Sequence, residues 1–198
     1  MRGWTRATFL FISTQDTLEP GGVEERWFAV MAELVSRGAT VRLLAPLNTE
    51  VVERARELGI QVDPYMLDKW NVVRTRSRLR KYLRRYQPTV VHSTGVEADA
   101  LLRWAARRVE GMRVAHTLRA VCTSGLRRTM VVLVRRVAEL GLSHARLVFA
   151  ETEELMQEAV SAGMRPADVL YDPPTTGPGT LAQSVRRHVD AYWQMMAD

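Results

Sequence analysis

At 198 residues the chain is long enough for one sizeable domain with its own core and short for two; 46% hydrophobic and 25% charged residues are ordinary globular proportions, which argues against a disordered or fibrous chain. No apolar run approaches the roughly 18 residues of a bilayer-spanning helix, and the apolar stretch behind the basic start is too short for a signal peptide. The net charge of +6 rests almost wholly on arginine, Lys69 and Lys81 being the lysines, and it favours acidic partners: nucleic acid, anionic lipid or phosphorylated ligands.

A single cysteine, Cys122, precludes an internal disulfide and points to a cytosolic setting; it has no adjacent partner pattern and reads as structural.

Along the chain, strand-like apolar segments alternate with helix-like ones, the mark of βαβ units and a parallel sheet. Residues 9–13 form the first strand. The glycine pair Gly21-Gly22 then opens a helix over 23–37, with Val23, Trp27, Val30, Met31 and Leu34 on one face and Gly38 beyond its end. Residues 40–45 give a second strand. A short helix follows, capped by Asn48 or Thr49 and closed by Gly59, and a third strand over 60–62 is interrupted by Pro64.

Residues 68–86 read as a strongly basic helix, and 89–92 as a buried strand. A helix over 97–109, a strand over 113–118 and a long helix over 127–140 come next. The strand 146–150 leads to a helix over 153–162 capped by Thr152, with Glu153 and Glu154 matched to its positive end. After the last strand, 168–171, three prolines and two glycines within 172–180 read as a linker. A final helix over 181–197 carries the stripe Leu181, Val185, Val189, Tyr192 or Trp193, and Met196, and requires a surface to cover.

Several residues could carry chemistry. A strand, a glycine loop and a helix N-terminus place backbone amides where an anion can meet them, so Gly21 and Gly22 read either as a tight turn or as a ligand loop. Glu24 and Glu25 read as first-turn acids that compensate the helix dipole rather than as catalysts. His92 is placed at the carboxyl edge of its strand, where open α/β sheets bind ligands; His116, inside the next strand, reads as a hydrogen-bonded core histidine. The basic helix has two readings, a solvated face or a contact with an anionic membrane through Arg76, Arg80 and Arg84, with Trp70 at the interface. Nucleic acid is the weaker reading, since no DNA- or RNA-binding module is visible. No zinc- or calcium-type ligand spacing is present.

Six motifs in order resemble one family. Gly21-Gly22-Val23-Glu24 with Arg37-Gly38-Ala39-Thr40-Val41 resembles its glycine loop, helix and turn into the second strand. Tyr86-Gln87-Pro88-Thr89-Val90-Val91-His92, with Gly95 following, resembles its third motif. Arg113 to Leu118, Ala145 to Thr152 and Met164 to Tyr171 resemble its next strands. The family is that of GT-B-fold glycosyltransferases of the family-4 type, and the resemblance covers about residues 8–174, its N-terminal, acceptor-side domain.

The resemblance implies a Rossmann-like parallel sheet flanked by helices over 1–174, a linker over 175–180, and a C-terminal helix over 181–198 packing back on the domain. It implies ligand contacts, to an acceptor or a phosphate, from Gly21, Gly22, His92, Gly95, Arg119 and Thr152. Two positions depart from the pattern: Thr94 stands where the family has a second histidine, and Arg119 where it has a ligand-facing one. A guanidinium is no base but suits a phosphate, so either Arg119 binds an anionic group or the catalytic set has decayed. The family's second domain, which holds the nucleotide-sugar, has no counterpart in this sequence. No intrinsic cofactor is therefore expected; a nucleotide-sugar enters only with a donor domain supplied by a partner.

Two functions stand at this point: an acceptor-side glycosyltransferase-like domain working with a separate donor-binding subunit or as a homo-oligomer, and a non-catalytic adaptor for a phosphorylated or lipid-linked ligand at a membrane surface. A third is a deletion product without activity.

Overall fold

The computed structural model describes residues 4–13, 23–47, 49–64, 72–106, 109, 111–119, 145–174 and 178–197. Gly21, Gly22, Trp70, Cys122 and the expected helix over 127–140 lie outside the described residues.

The strands are β1 (Thr8–Ser13), β2 (Thr40–Ala45), β3 (Gln61–Pro64), β4 (Val90–Thr94), β5 (Arg113–Leu118), β6 (Leu147–Ala150) and β7 (Val169–Tyr171); the helices are α1 (Val23–Ser36), α2 (Glu50–Glu57), α3 (Val72–Tyr86), α4 (Val96–Ala106), α5 (Glu153–Ser161) and α6 (Pro178–Ala197). The strands form one seven-stranded sheet in the order β3-β2-β1-β4-β5-β6-β7, with parallel pairing at each step. This is the Rossmann-like α/β arrangement expected, with the central strands buried on both faces. Because β1 has β2 on one side and β4 on the other, the direction of sheet growth reverses there. Open α/β sheets take ligands at the carboxyl ends beside such a reversal, and here Ser13 lies level with Thr94.

Residue alternation along each strand assigns two cores. Phe9 and Phe11 of β1, Val41 and Leu43 of β2, Val90 of β4 and Phe149 of β6 pack with α1, α2 and α6; Leu10, Ile12, Leu44, Val91 and Val114 pack on the other face with α3 and α4. Val148 and Ala150 face α5. Local signals agree with this frame. Thr49, not Asn48, caps α2, its hydroxyl accepting from the Val52 amide at 3.3 Å, and Thr152 caps α5 through the Leu155 amide at 3.3 Å. Gly38 ends α1 with φ +88°, a left-handed conformation that leads straight into β2.

The final helix differs from expectation at its start: it begins at Pro178, inside the stretch read as linker, where proline suits a first helical turn. Of the two aromatic candidates for its buried stripe, Tyr192 is inside at 0% exposure. Trp193 is 44% exposed and lies on Trp4, with ring centroids 5.1 Å apart. Tyr192, Val189, Ala191 and Met195 complete the core over β1, β4 and α1, and Tyr192 sits near the rings of Phe9, Phe11 and Phe149.

The Tyr192 hydroxyl bonds His92 Nδ1 inside this core. Tyr192→Phe leaves the ring packing but strips that nitrogen of its partner, which should cost about 1–3 kcal/mol in urea denaturation. Tyr192→Ala, which also opens a cavity, should cost about 3–5 kcal/mol.

Candidate functional site

The carboxyl edge gathers the ends of β1, β4, β5, β6 and β7 beside the first turn of α1. Gly95 follows β4 with φ +93°, the positive-φ turn that lets the chain pass from strand to α4 within one residue. Next to it Thr94 is fully buried, and among the described residues its hydroxyl has no hydrogen-bond partner; the same holds for Trp27 Nε1 on α1 and for His116 Nε2 on β5. Buried polar atoms are ordinarily satisfied by protein or water, so these three are exceptions within the packing of β4, β5 and α1.

Arg119, directly after β5, points its Nη1 at Glu24 Oε1, 2.9 Å away. Glu24 is 2% exposed, so it is more than a solvated dipole-compensating acid. It neutralises the guanidinium that was expected to meet an external anion. An anion arriving here must share Arg119 with Glu24 or displace it.

A second ion-pair group lies two residues further along α1, at Arg26. Arg26, 1% exposed, donates from Nη2 to Glu151 Oε1 at 2.9 Å and from Nη1 to the Pro173 carbonyl at 3.1 Å, and its Nε is 3.4 Å from Asp172 Oδ2. Asp172, at 2% exposure, also accepts from the Ser184 hydroxyl at 2.7 Å and from Arg187 Nη1 at 3.3 Å. The segment after β7, read as the start of a linker, is thus an anchor. The signal in the sequence was a charge inside an apolar stripe: Arg26 follows Val23 by three and precedes Val30 by four, which puts it on the buried face of α1.

The histidines divide between the two faces of the sheet. His92 is in the middle of β4, not at its carboxyl edge as expected, and is 0% exposed. Nε2 bonds the Thr117 hydroxyl at 2.8 Å and Nδ1 meets Tyr192, so both nitrogens face α6 and the sheet. Burial, with His188 and His116 nearby, holds its pKa well below the ordinary value. His116 is the hydrogen-bonded core histidine the sequence suggested: Nδ1 lies 2.7 Å from Asp99 Oδ1 and 2.6 Å from the Ser93 hydroxyl, which itself donates to Asp99 at 2.6 Å. Serine and aspartate converge on the same ring nitrogen, so these three are not a nucleophilic triad, which needs one partner on each nitrogen. Thr152 spends its hydroxyl on the α5 cap. Among the described residues no group of three or more histidine, cysteine or carboxylate side chains could hold a metal ion.

On the far face, α3 shows Arg74, Arg78, Lys81, Arg84 and Arg85 to solvent, with Arg76 and Arg80 half-buried and Leu79 and Leu83 turned inward. Arg80 Nη2 reaches the Trp104 carbonyl of α4 at 3.1 Å, and the Trp104 side chain is 42% exposed beside it. Trp104 was not singled out in the sequence, because the contact joins two helices. No helix among the described residues is long and apolar enough to cross a membrane.

A parallel sheet of this order, reversing between β1 and β4, with a terminal helix returning over the first strands, defines half of a GT-B architecture. Residues 21–175 match the model of the glycosyl transferase 4-like domain, and the chain belongs to that family. Its fold is similar to the Anabaena protein HepE crystallised with UDP-glucose (12% identity, TM-score 0.63, 93% of this chain and 50% of that one) and to a glycosyltransferase from Rickettsia africae (12%, 0.60, 92% and 49%). It is similar as well to a UDP-N-acetylglucosamine 2-epimerase from Rickettsia bellii (12%, 0.59, 93% and 48%). The chain spans about half the length of these proteins. At such identities the likeness concerns the fold, and the fold hosts more than one reaction. No curated protein matches the sequence.

Arg26→Met leaves Asp172 and Glu151 buried without their main counter-charge and should destabilise the protein by about 3–5 kcal/mol in chemical denaturation. Arg37→Ala, which removes the half-exposed pair with Glu33 at 2.8 Å and a guanidinium 5.9 Å from the Trp4 ring centroid, should cost no more than about 1–2 kcal/mol.

Proposed function

We propose that the protein is the acceptor-side domain of a glycosyl-transfer system, with the acceptor held at the carboxyl edge of β1, β4 and β5 and the nucleotide-sugar brought by a donor-binding domain on another polypeptide. The observation that carries this reading is the pairing of Arg119, directly after β5, with Glu24 in the first turn of α1, at the carboxyl edge of a sheet whose strand order reverses between β1 and β4, in a chain of the glycosyl transferase 4-like family. The family resemblance offers Gly21, Gly22 and Thr152 as further contacts, the glycines for the chemical reason that backbone amides at a helix start suit a phosphate. His92 serves this site from beneath, by fixing the packing of β4 and β5 under it, rather than as a contact.

The roles of the residues follow from their chemistry. Arg119 supplies a fixed positive charge for an anionic group and cannot take a proton from a hydroxyl. Glu24 holds it oriented until the ligand competes. The proton acceptor and the wall that binds the sugar nucleotide come from the partner domain. Mixing the purified chain with a donor-domain protein encoded beside it, and following transfer from UDP-[14C]glucose and other labelled nucleotide-sugars, should give turnover with both chains and none with either alone. Arg119→Ala should lower the turnover of the pair about 10-fold or more. The absence of both complex and turnover with every neighbouring-gene product removes the proposal.

A second reading, an adaptor at an anionic membrane, is favoured by one observation: the arginine row of α3 lies beside the exposed Trp104 ring. Cationic side chains contribute about 1 kcal/mol each near an anionic surface, and tryptophan is at home at the headgroup level. On phosphatidylglycerol-containing vesicles, the triple change Arg76→Glu, Arg80→Glu, Arg84→Glu should lower partitioning at least 100-fold, and raised salt should do the same to the unaltered chain. Equal binding of the two proteins rules this reading out.

A further inference from the structure

The contact between α6 and the sheet is built around two buried histidines. His188 lies face to face with Phe149, ring centroids 3.7 Å apart and planes 9° from parallel, and its ring centroid is 6.0 Å from that of His92. His188 is 1% exposed and His92 0%. We propose that α6 is an acid-released latch: when the His188–His92 pair takes up a proton, the helix leaves the α1 face while the sheet stays folded.

The groups around the pair supply the reason. From α6 itself come Arg187, Tyr192 and the Ser184 carbonyl, which is 3.0 Å from His188 Nδ1. The segment after β7 contributes Asp172, whose Oδ2 is 3.8 Å from His188 Nε2; α1 contributes Arg26, and the end of β6 contributes Glu151 through Arg26. On the sheet side stand His92, Thr117 and, across the sheet, His116. Two positive charges, Arg26 and Arg187, and two negative ones, Glu151 and Asp172, cancel. A proton on His188 therefore adds an uncompensated charge in a site without water contact, and one on His92 adds it where no carboxylate is in reach. Protonation at either ring repels the other.

The sign follows from the direction of the shifts. Burial lowers the His188 pKa from 6.5 to about 4, with Asp172 and the Ser184 carbonyl raising it and Arg26 and Arg187 lowering it further; His92 is lowered too. The docked helix thus binds fewer protons than the released one. Docking is fully favoured above pH 6.5 and is lost as the pH falls from 6.5 toward 4. At pH 5 His188 alone multiplies the ratio of released to docked helix about 30-fold, and His92 adds in the same direction.

The response is local because α6 contributes no strand: its departure breaks no sheet hydrogen bond, and elements of that kind open below the global unfolding free energy.

The test uses the full chain between pH 7.5 and 4.5. Hydrogen exchange, corrected for its intrinsic pH dependence, should show residues 181–197 losing at least about 10-fold in protection by pH 5 while β1 and β4 keep theirs. Tryptophan fluorescence should change in parallel, since release separates Trp193 from Trp4. His188→Gln, which cannot be protonated in this range, should move the transition to lower pH. The latch is refuted by α6 protection that stays flat across the range, by loss of protection in step with β1 and β4, or by a folded His188→Gln protein with the unaltered transition. The exchange profile of the unaltered chain decides the matter even where the variant does not fold.

Discussion

Asp172 keeps a carboxylate at 2% exposure, and most of what positions the functional edge depends on how that charge is balanced. It receives Arg26 from α1 and Ser184 and Arg187 from α6, while Arg26 also binds Glu151 after β6. The helices α1 and α6, which share no sheet hydrogen bond, are joined through this one cluster to the β6–β7 edge. Its members cost several kcal/mol each to remove from water, and mutual neutralisation offsets that cost. The reward is geometric: a charged group satisfied in only one arrangement fixes α1, and with it the turn that carries Glu24, relative to the strand ends. Apolar packing alone tolerates sliding by a fraction of a turn; a guanidinium shared among two carboxylates and a carbonyl does not.

The same logic separates the two strand histidines. Neighbouring positions on β4 point to opposite faces, so His92 enters the aromatic core under α6 while Ser93 meets His116 and Asp99 under α4. Each imidazole is held by side chains from two elements, and each ties a strand to its neighbours below the carboxyl edge. At that edge a positive-φ glycine at position 95 follows β4, and the guanidinium of Arg119 is already balanced by Glu24.

Much of the fold was legible in the residues. The parallel sheet followed from alternation of apolar runs with helical periodicity, since strands buried on both faces carry no polar alternation. Thr152 and Gly38 were recognisable because a cap or a helix stop is a contact within a few residues, and short-range chemistry is written in sequence spacing. Other readings shifted when the chain closed on itself. His92 looked like an edge residue because its strand was read as ending there, whereas β4 runs on to Thr94. Pro178 was read as punctuation, although proline at a first turn starts a helix as readily as it ends one. Asp172 was grouped with prolines and glycines, and no spacing rule links it to Arg26, 146 residues before it.

What the residues determined unaided was most of the elements among the described residues, their order, the family to which they belong, and caps and turns such as Thr152 and Gly38, because each of these depends on interactions spanning a few positions. The face that each polar side chain reaches, and the partner that meets it there, came from the assembled sheet. Strand order placed Ser13 beside Thr94, and the return of α6 put Tyr192 on His92. The burial of Arg26 left Asp172 and Glu151 as its counter-charges. A pairing between distant residues has no local signature: its energy depends on desolvation and distance, and both are defined only once the chain is folded.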